Sequence, residues 1–236
     1  MTQAITALMG LRPGGFLDVG VNLGQTLLKV ASIDREIAYL GFEPNPACAD
    51  YVLTLVAANN LPFAIVPAGL GPRTEVLELQ IFRDEDTDPS ASLVPGFRDG
   101  LVRTRPVVVI GLADLPEGLI PDPLALIKID VEGGELAVLE GLAPILASQR
   151  PCILIEILPA YDAGNLARLD RQSKVQGILL RAAYTMFRIR KTSGDLLAGI
   201  EKIAEIGIHG DLALADYLMV PAEDEERVSA AFAKLN

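Results

Sequence analysis

Two short segments place carboxylates beside glycines in a way that suits ligand chemistry. The first is Phe16-Leu17-Asp18-Val19-Gly20-Val21-Asn22-Leu23-Gly24-Gln25. An apolar strand runs into a tight turn and then a helix, and Gly20 and Gly24 give a backbone that can close around a ligand. In open α/β sheets ligands bind beyond the carboxyl ends of the strands, where this turn falls. A dinucleotide site calls for G-x-G-x-x-G with a helix N-terminus facing pyrophosphate. Here the pattern is D-x-G-x-x-x-G, and Asp18 would repel pyrophosphate while suiting a cationic amino-acid group. The next strand ends in Gly41-Phe42-Glu43-Pro44-Asn45, which sets Glu43 to accept two ribose hydroxyls. A ligand with an ammonium group and a ribose but no phosphate is S-adenosylmethionine. The plainer alternative is an ordinary strand–turn–helix with a chance glutamate.

The second segment is Leu126-Ile127-Lys128-Ile129-Asp130-Val131-Glu132-Gly133-Gly134-Glu135. Strand alternation puts Lys128 and Asp130 on one face at the end of a buried strand. Such a pair is costly unless it is partnered. Methyl transfer is an in-line displacement at a sulfonium carbon, which requires alignment of the acceptor and removal of its proton. Asp130 is the first candidate for base or orienting group and Glu132 the second; Lys128 would tune Asp130 or stabilise a developing alkoxide. A structural ion pair explains Lys128 equally well. Glu156 adds a third carboxylate near the same rim. Asp130, Glu132 and Glu156 could offer oxygen ligands to a divalent metal, but clustered acids at strand ends are more often solvated, and no metal is predicted. His209 is the only histidine, and a lone loop histidine is more often incidental. Tyr161 and Tyr184 read as packing residues.

These segments need a parallel α/β sheet to position them. Strands are expected at Gly15–Val19, Ile37–Phe42, Phe63–Pro67, Leu124–Ile129 and Cys152–Ile157. Helices are expected over Gln25–Ser32, Ala47–Asn59 and Glu135–Ser148. The run Leu124–Ile129, apolar but for Lys128, marks a strand buried on both faces. Between the third and fourth strands, Glu75–Phe82 and Pro106–Leu112 look like extra strands around a polar loop, Arg83–Gly100, whose acids at Asp84–Asp88 read as solvated. A final pair of strands is expected at Tyr184–Arg190 and Asp216–Val220, followed by a short helix opened by Pro221.

Half of the 236 residues are hydrophobic and 22% are charged, which argues against wholesale disorder. The formal net charge of −11 disfavours nucleic acid and anionic membrane surfaces as partners. It also favours a small neutral or cationic acceptor, although Arg98, Arg103 and Arg105 lie close in sequence. No apolar run reaches the roughly 18 residues of a membrane span. The N-terminus lacks secretory features, and Cys48 and Cys152 give no disulfide framework, so a cytoplasmic location is expected. Residues 1–236 read as one domain, and any homodimer is expected to be a symmetric pair.

Together Asp18-Val19-Gly20-Val21-Asn22-Leu23-Gly24, Phe42-Glu43-Pro44-Asn45-Pro46 and Ile127–Glu135 resemble the FkbM-type methyltransferases. Ser90–Leu93, Leu112–Leu115 and Ile153–Glu156 follow in the expected order. The resemblance implies a Rossmann-like class I methyltransferase fold: a mostly parallel sheet with an antiparallel C-terminal strand and a β insertion between strands 3 and 4. It implies S-adenosylmethionine as cofactor and O-methylation of a small-molecule hydroxyl, on a sugar or natural product. Asp18, Gly20, Asn22, Gly24, Glu43 and Pro44 would form the cofactor site, with Asp130 and Glu132 at the reaction centre. Two departures stand out. Val21 replaces a small residue and would tighten the pocket, and with 15 residues before the first strand, covering N-terminal helices are expected to be short or missing. The competing classes are a non-catalytic cofactor-binding protein and a nicotinamide-dependent oxidoreductase.

Overall fold

The computed structural model describes residues 1–192 and 196–235. The chain begins with α1 (Thr2–Leu11), then β1 (Gly15–Val19), α2 (Gln25–Ile33), β2 (Tyr39–Phe42), α3 (Pro46–Ala58) and β3 (Ala64–Val66). A small sheet follows: β4 (Gly69–Gly71), β5 (Glu75–Ile81) and β6 (Arg103–Gly111). Next come β7 (Leu124–Ile129), α4 (Glu135–Gly141), α5 (Ala143–Ser148), β8 (Cys152–Glu156) and α6 (Leu166–Arg181). The chain closes with β9 (Tyr184–Lys191), β10 (Leu197–Ile203), β11 (Asp216–Pro221) and α7 (Glu225–Ala233).

The main sheet has the order β10-β9-β11-β8-β7-β1-β2-β3. Pairings from β3 through β8 are parallel, whereas β11 runs antiparallel to both of its neighbours and β10 antiparallel to β9. The expected antiparallel C-terminal strand is thus β11, and β10 adds a second reversed strand. Every residue of β1, β2 and β7 is buried, because helices cover both faces of a parallel sheet. One core, with Leu17, Ile127, Ile153 and Tyr217, fills the α4–α6 side; the other, with Phe16, Leu27, Leu126 and Phe232, fills the α1–α2–α7 side. Burying each of these large side chains contributes about 1.5–3 kcal/mol.

Local chemistry accounts for the helix boundaries. Asn45 caps α3 by accepting from the Ala47 amide at 3.2 Å, and Pro46 occupies the first turn where an N–H is not needed. The single helix expected over Glu135–Ser148 is two, α4 and α5, with the break at Leu142. Pro144 has no N–H to return to the preceding turn, so the helix restarts there. One helix, α1, precedes β1, and its buried face of Ala4, Ile5 and Leu8 packs into the core shared with α2 and α7.

The insertion sheet has the order β4-β6-β5, with β5 and β6 antiparallel. The sequence showed two of its strands; β4, three residues long with two glycines, gave no alternation to read. Its docking is close: a Cβ at Gly141 of α4 would lie 2.4 Å from the Gly71 carbonyl oxygen. That contact docks β4 of the insertion on α4, the helix that follows β7.

The turn after β1 is similarly tight. Gly20 has φ +88°, and a Cβ there would stand 1.9 Å from the Asp130 carbonyl oxygen. Replacing Gly20 with Ala therefore combines left-handed strain with overpacking, and a loss of about 3 kcal/mol is expected. Urea denaturation measures it; a change below about 0.5 kcal/mol would show that β1 and β7 separate more easily than the geometry indicates.

Candidate functional site

The loops at the carboxyl ends of β1, β2 and β7 open onto a cleft of about 1030 Å³, counting its mouth. Gly20, Asn22, Glu43, Pro44, Asp130 and Glu132 all line it. The Gly20 and Val21 amides both donate to the Phe42 carbonyl, which ties the β1 turn to the end of β2. Asn22 has a left-handed backbone, φ 51°, a conformation asparagine tolerates better than most residues. Its amide donates to Glu43 Oε2 at 2.8 Å, while the Asn45 amide donates to Glu43 Oε1 at 2.8 Å. Glu43 is thereby held on both oxygens, and each oxygen keeps a lone pair for a ligand hydroxyl. Burial raises the Glu43 carboxyl above its ordinary value, opposed by these two amide bonds.

Gly24 ends the turn with φ +83° and caps α2. It packs against Leu55, to which a Cβ would come within 2.9 Å, so its contribution is to the turn's shape. Val21 does not narrow the cleft as expected. It is buried, and its methyl sits where a Cβ on Gly41 would approach to 2.6 Å.

Asp18 and Lys128 are placed differently from the cleft residues. They are register partners on adjacent strands β1 and β7. Asp18 is fully buried and accepts from the Tyr39 hydroxyl at 2.6 Å, and its Oδ1 lies 3.5 Å from Lys128 Nζ. Neither residue lines the cleft, so the carboxylate expected to meet a ligand ammonium is committed to the sheet. Lys128 Nζ also donates to the Gly20 carbonyl at 3.0 Å and lies 3.1 Å from Asp130 Oδ2. Burial opposes its charge, but Asp18 and Asp130 together outweigh burial and raise the ammonium's pKa. Lys128 is therefore a charged tie between the glycine turn and the acid of β7, placed behind the cleft wall.

Asp130 is the charged group most open to the cleft beside the turn, with its side chain 40% exposed. Burial again opposes ionisation; Lys128 and a hydrogen bond from Glu156 outweigh it and hold Asp130 below the usual carboxylate range. Glu156, at the end of β8, is pushed up to about 8 by burial and by the charge and hydrogen bond of Asp130. The two carboxyls oppose each other's ionisation, so the pair favours one negative charge over two, with Lys128 keeping it toward Asp130.

Glu132 stands at φ 47° in the turn after β7 and pairs with Arg98 at 2.5 Å. Ser92 Oγ donates to the Glu132 carbonyl at 2.7 Å. The polar stretch 83–100 is thus fastened onto the cleft and not simply solvated. Asp84 and Asp86 are exposed and pair with Arg103 and Arg105, but Asp88 is buried. Burial opposes the Asp88 charge, yet hydrogen bonds from Ser90, Phe82 and Arg83 hold its carboxyl low. Asp88 and Leu93 from this stretch line the cleft; the sequence signalled Leu93 through the resemblance over Ser90–Leu93 and Asp88 only through turn-forming composition.

The three acids weighed as metal ligands are held apart in function, Glu132 by Arg98 and Asp130 by Lys128 and Glu156. Among the described residues no three His, Cys, Asp or Glu side chains converge as a metal site. His209 lies outside the cleft, with Nε2 3.1 Å from the Tyr217 hydroxyl. Burial and Arg188 lower its pKa. Tyr184 is buried and donates to the Pro151 carbonyl, while Tyr161 is exposed.

A parallel sheet closed by reversed C-terminal strands, with its cleft at the β1, β2 and β7 ends, is the Rossmann-like class I methyltransferase fold. The sequence matches the family model described as Methyltransferase FkbM domain over residues 18–185, well over half of the chain. The chain belongs to this family of methyltransferases. Among solved structures, the methyltransferase FkbM from Methylobacillus flagellatus KT is similar to it, with 16% identity and a TM-score of 0.52 over 87% of this chain and 43% of that one. The chain therefore spans less than half of that relative, and the likeness is one of fold. The precorrin-6y C5,15-methyltransferase from Geobacter metallireducens GS-15 matches with 16% identity and a TM-score of 0.45, over 92% of this chain and 84% of that one. No protein of curated function matches the sequence.

Proposed function

We propose that residues 1–236 form one methyltransferase domain that transfers the methyl group of S-adenosylmethionine to a hydroxyl of a small molecule, a sugar or a natural product. One observation carries the cofactor reading. The described cleft wall holds five carboxylates, Glu43, Glu75, Asp88, Asp130 and Glu132, and no Lys, Arg or His. Such a wall repels pyrophosphate and suits a cation bearing an ammonium and a sulfonium. The donor set fits the cofactor residue by residue: Glu43 for the ribose hydroxyls, and the Gly20–Asn22 turn for the amino-acid end. Asp18, behind that turn, would act only through Lys128 and the backbone.

When bound, S-adenosylmethionine supplies an electrophilic methyl group. The chain's own contribution is to align the acceptor oxygen and take its proton. Asp130 Oδ is the proton acceptor in this reading, kept ionised by Lys128. Glu156 holds the neighbouring proton, so the pair passes from one negative charge to none as the hydroxyl is deprotonated. Glu132, neutralised by Arg98, shapes the acceptor side of the wall. The reading includes a cytoplasmic location; among the described residues no helix is long and apolar enough to cross a membrane, and Cys48 and Cys152 are free thiols.

Calorimetric titration tests the cofactor assignment. Saturable binding of S-adenosylmethionine is expected, with none for NADH. Glu43→Ala should weaken it roughly 10- to 100-fold, the worth of hydrogen bonds to a charged acceptor. Undiminished affinity in the variant would sink the ribose assignment. Transfer of labelled methyl to a hydroxyl compound then separates an enzyme from a non-catalytic binder.

A further inference from the structure

We infer that Arg98, Arg168 and Arg171 form a binding site for an anionic group on the acceptor, which makes the acceptor a hydroxyl compound bearing a carboxylate or phosphate. This rests on the methyltransferase reading above. The three guanidinium carbons lie 5.6, 4.9 and 5.1 Å from the centre of one ring, Phe97. Phe97 packs against the turn after β7, where a Cβ on Gly133 would come within 2.5 Å of the ring. The neighbouring turn residues Glu132 and Gly134 line the cleft. Arg168, Arg171 and Phe97 line a small recess with Glu135, separate from the cleft, and the reach of three residues puts Gly133, at its edge, within about 10 Å of Asp130.

Cations brought this close repel one another, and nearby acids offset that only in part. Arg98 pairs with Glu132, but its Nε is buried with no hydrogen-bond partner. Arg168 spends one N–H on the Pro159 carbonyl. Arg171 is half-buried and makes no salt bridge or hydrogen bond among the described residues; Glu135 and Asp170 favour its charge against burial and Arg168, and Glu135 accepts from the Gly133 amide. Burial pushes Glu135 up to about 7, so its charge is only partial at neutral pH. Arg168 and Arg171 thus keep N–H donors that the fold does not use. Planar guanidinium forks match carboxylate and phosphate oxygens. Stacking on Phe97 holds the three in place without consuming those donors.

The net charge of −11 favoured a neutral or cationic acceptor. Local placement reverses that expectation, because fields in a partly desolvated pocket are set by the nearest charges. Arg103 and Arg105, the sequence neighbours of Arg98, are not part of the cluster and pair with Asp84 and Asp86. Two cations from α6 take their place.

The test titrates the full chain with inorganic phosphate and with succinate in low-salt buffer, beside a parallel S-adenosylmethionine titration. The wild type should bind at least one anion saturably, and Arg168→Gln/Arg171→Gln should weaken that binding tenfold or more with cofactor affinity unchanged. Arg171→Gln alone serves if the double variant does not fold, since Arg171 makes no hydrogen bond that the fold needs. Preference for phosphate over succinate, or the reverse, assigns the group. Absence of saturable anion binding in the wild type, or equal binding in the variants, overturns the proposal. Failure of the wild type to bind S-adenosylmethionine would instead overturn the reading on which it rests, whatever the anions do.

Discussion

Asp130→Asn is expected to lower turnover by ~10²–10⁴-fold, the usual contribution of a positioned proton acceptor. Asparagine keeps the shape of the side chain but cannot take a proton. Lys128 retains Asp18 and the Gly20 carbonyl as partners, so the turn and the sheet should persist. Affinity for S-adenosylmethionine should fall by much less than turnover, because the Glu43 contacts are untouched. Single-turnover methyl transfer, compared with calorimetric cofactor affinity, separates the two effects. Full activity in a folded Asp130→Asn protein would remove Asp130 as the base and leave Glu132 as the next candidate.

Stability is expected to decline as pH rises from about 5 to 9, opposite to the usual behaviour of salt-bridged carboxylates. Glu156 is pushed up to about 8 and Glu135 to about 7, each from an ordinary value of 4.5. A carboxyl whose folded pKa is raised binds its proton more tightly when folded. Its stabilisation is complete below the unfolded pKa and is lost as pH climbs through the folded one. Both groups act in the same direction across this window. Glu223, held down at about 2 by Arg150, acts with the opposite sign outside this window, while His209, lowered from 6.5 by burial, opposes the trend at the acid end of it. Urea denaturation across pH 5–9 should show the slope in the wild type and a shallower one in Glu156→Gln, whose amide is neutral throughout. Equal slopes in the two proteins would mean that Glu156 does not hold the pair's proton.

The parts of this fold that could be read in sequence are those in which burial imposes a pattern. β1 and β7 fall at the expected bounds because mainly apolar runs flank their glycine turns. Glu43 and Asp130 were legible for the same reason: both terminate such runs, and a sheet binds ligands at strand ends. Asp18 was read as a ligand group because strand order is not written in the sequence. Only the pairing of β1 with β7 shows that it faces Lys128. α6 left a faint signal, since its buried positions, Gln172, Val175 and Leu179, form a narrow stripe on an otherwise polar helix. β10 left less, with Glu201 and Lys202 interrupting its alternation. The arginine cluster joins residue 98 to residues 168 and 171 across some 70 positions, which no local pattern encodes.

The reversed strands have a consequence for colloidal behaviour. β11 hydrogen-bonds along one side of β8, the almost wholly apolar run Cys152–Glu156. The family match ends at residue 185, before β11 begins. A chain trimmed to that limit would leave β8 as a bare edge, a template on which other copies could add strands without end. The intact sheet ends more safely. One border is β3, three residues long, and the other is β10, with charges at Glu201 and Lys202 and a register irregularity between Leu197 and Gly199. The C-terminal strands thus cover the edge of β8 and let the sheet end on a short strand and a charged one.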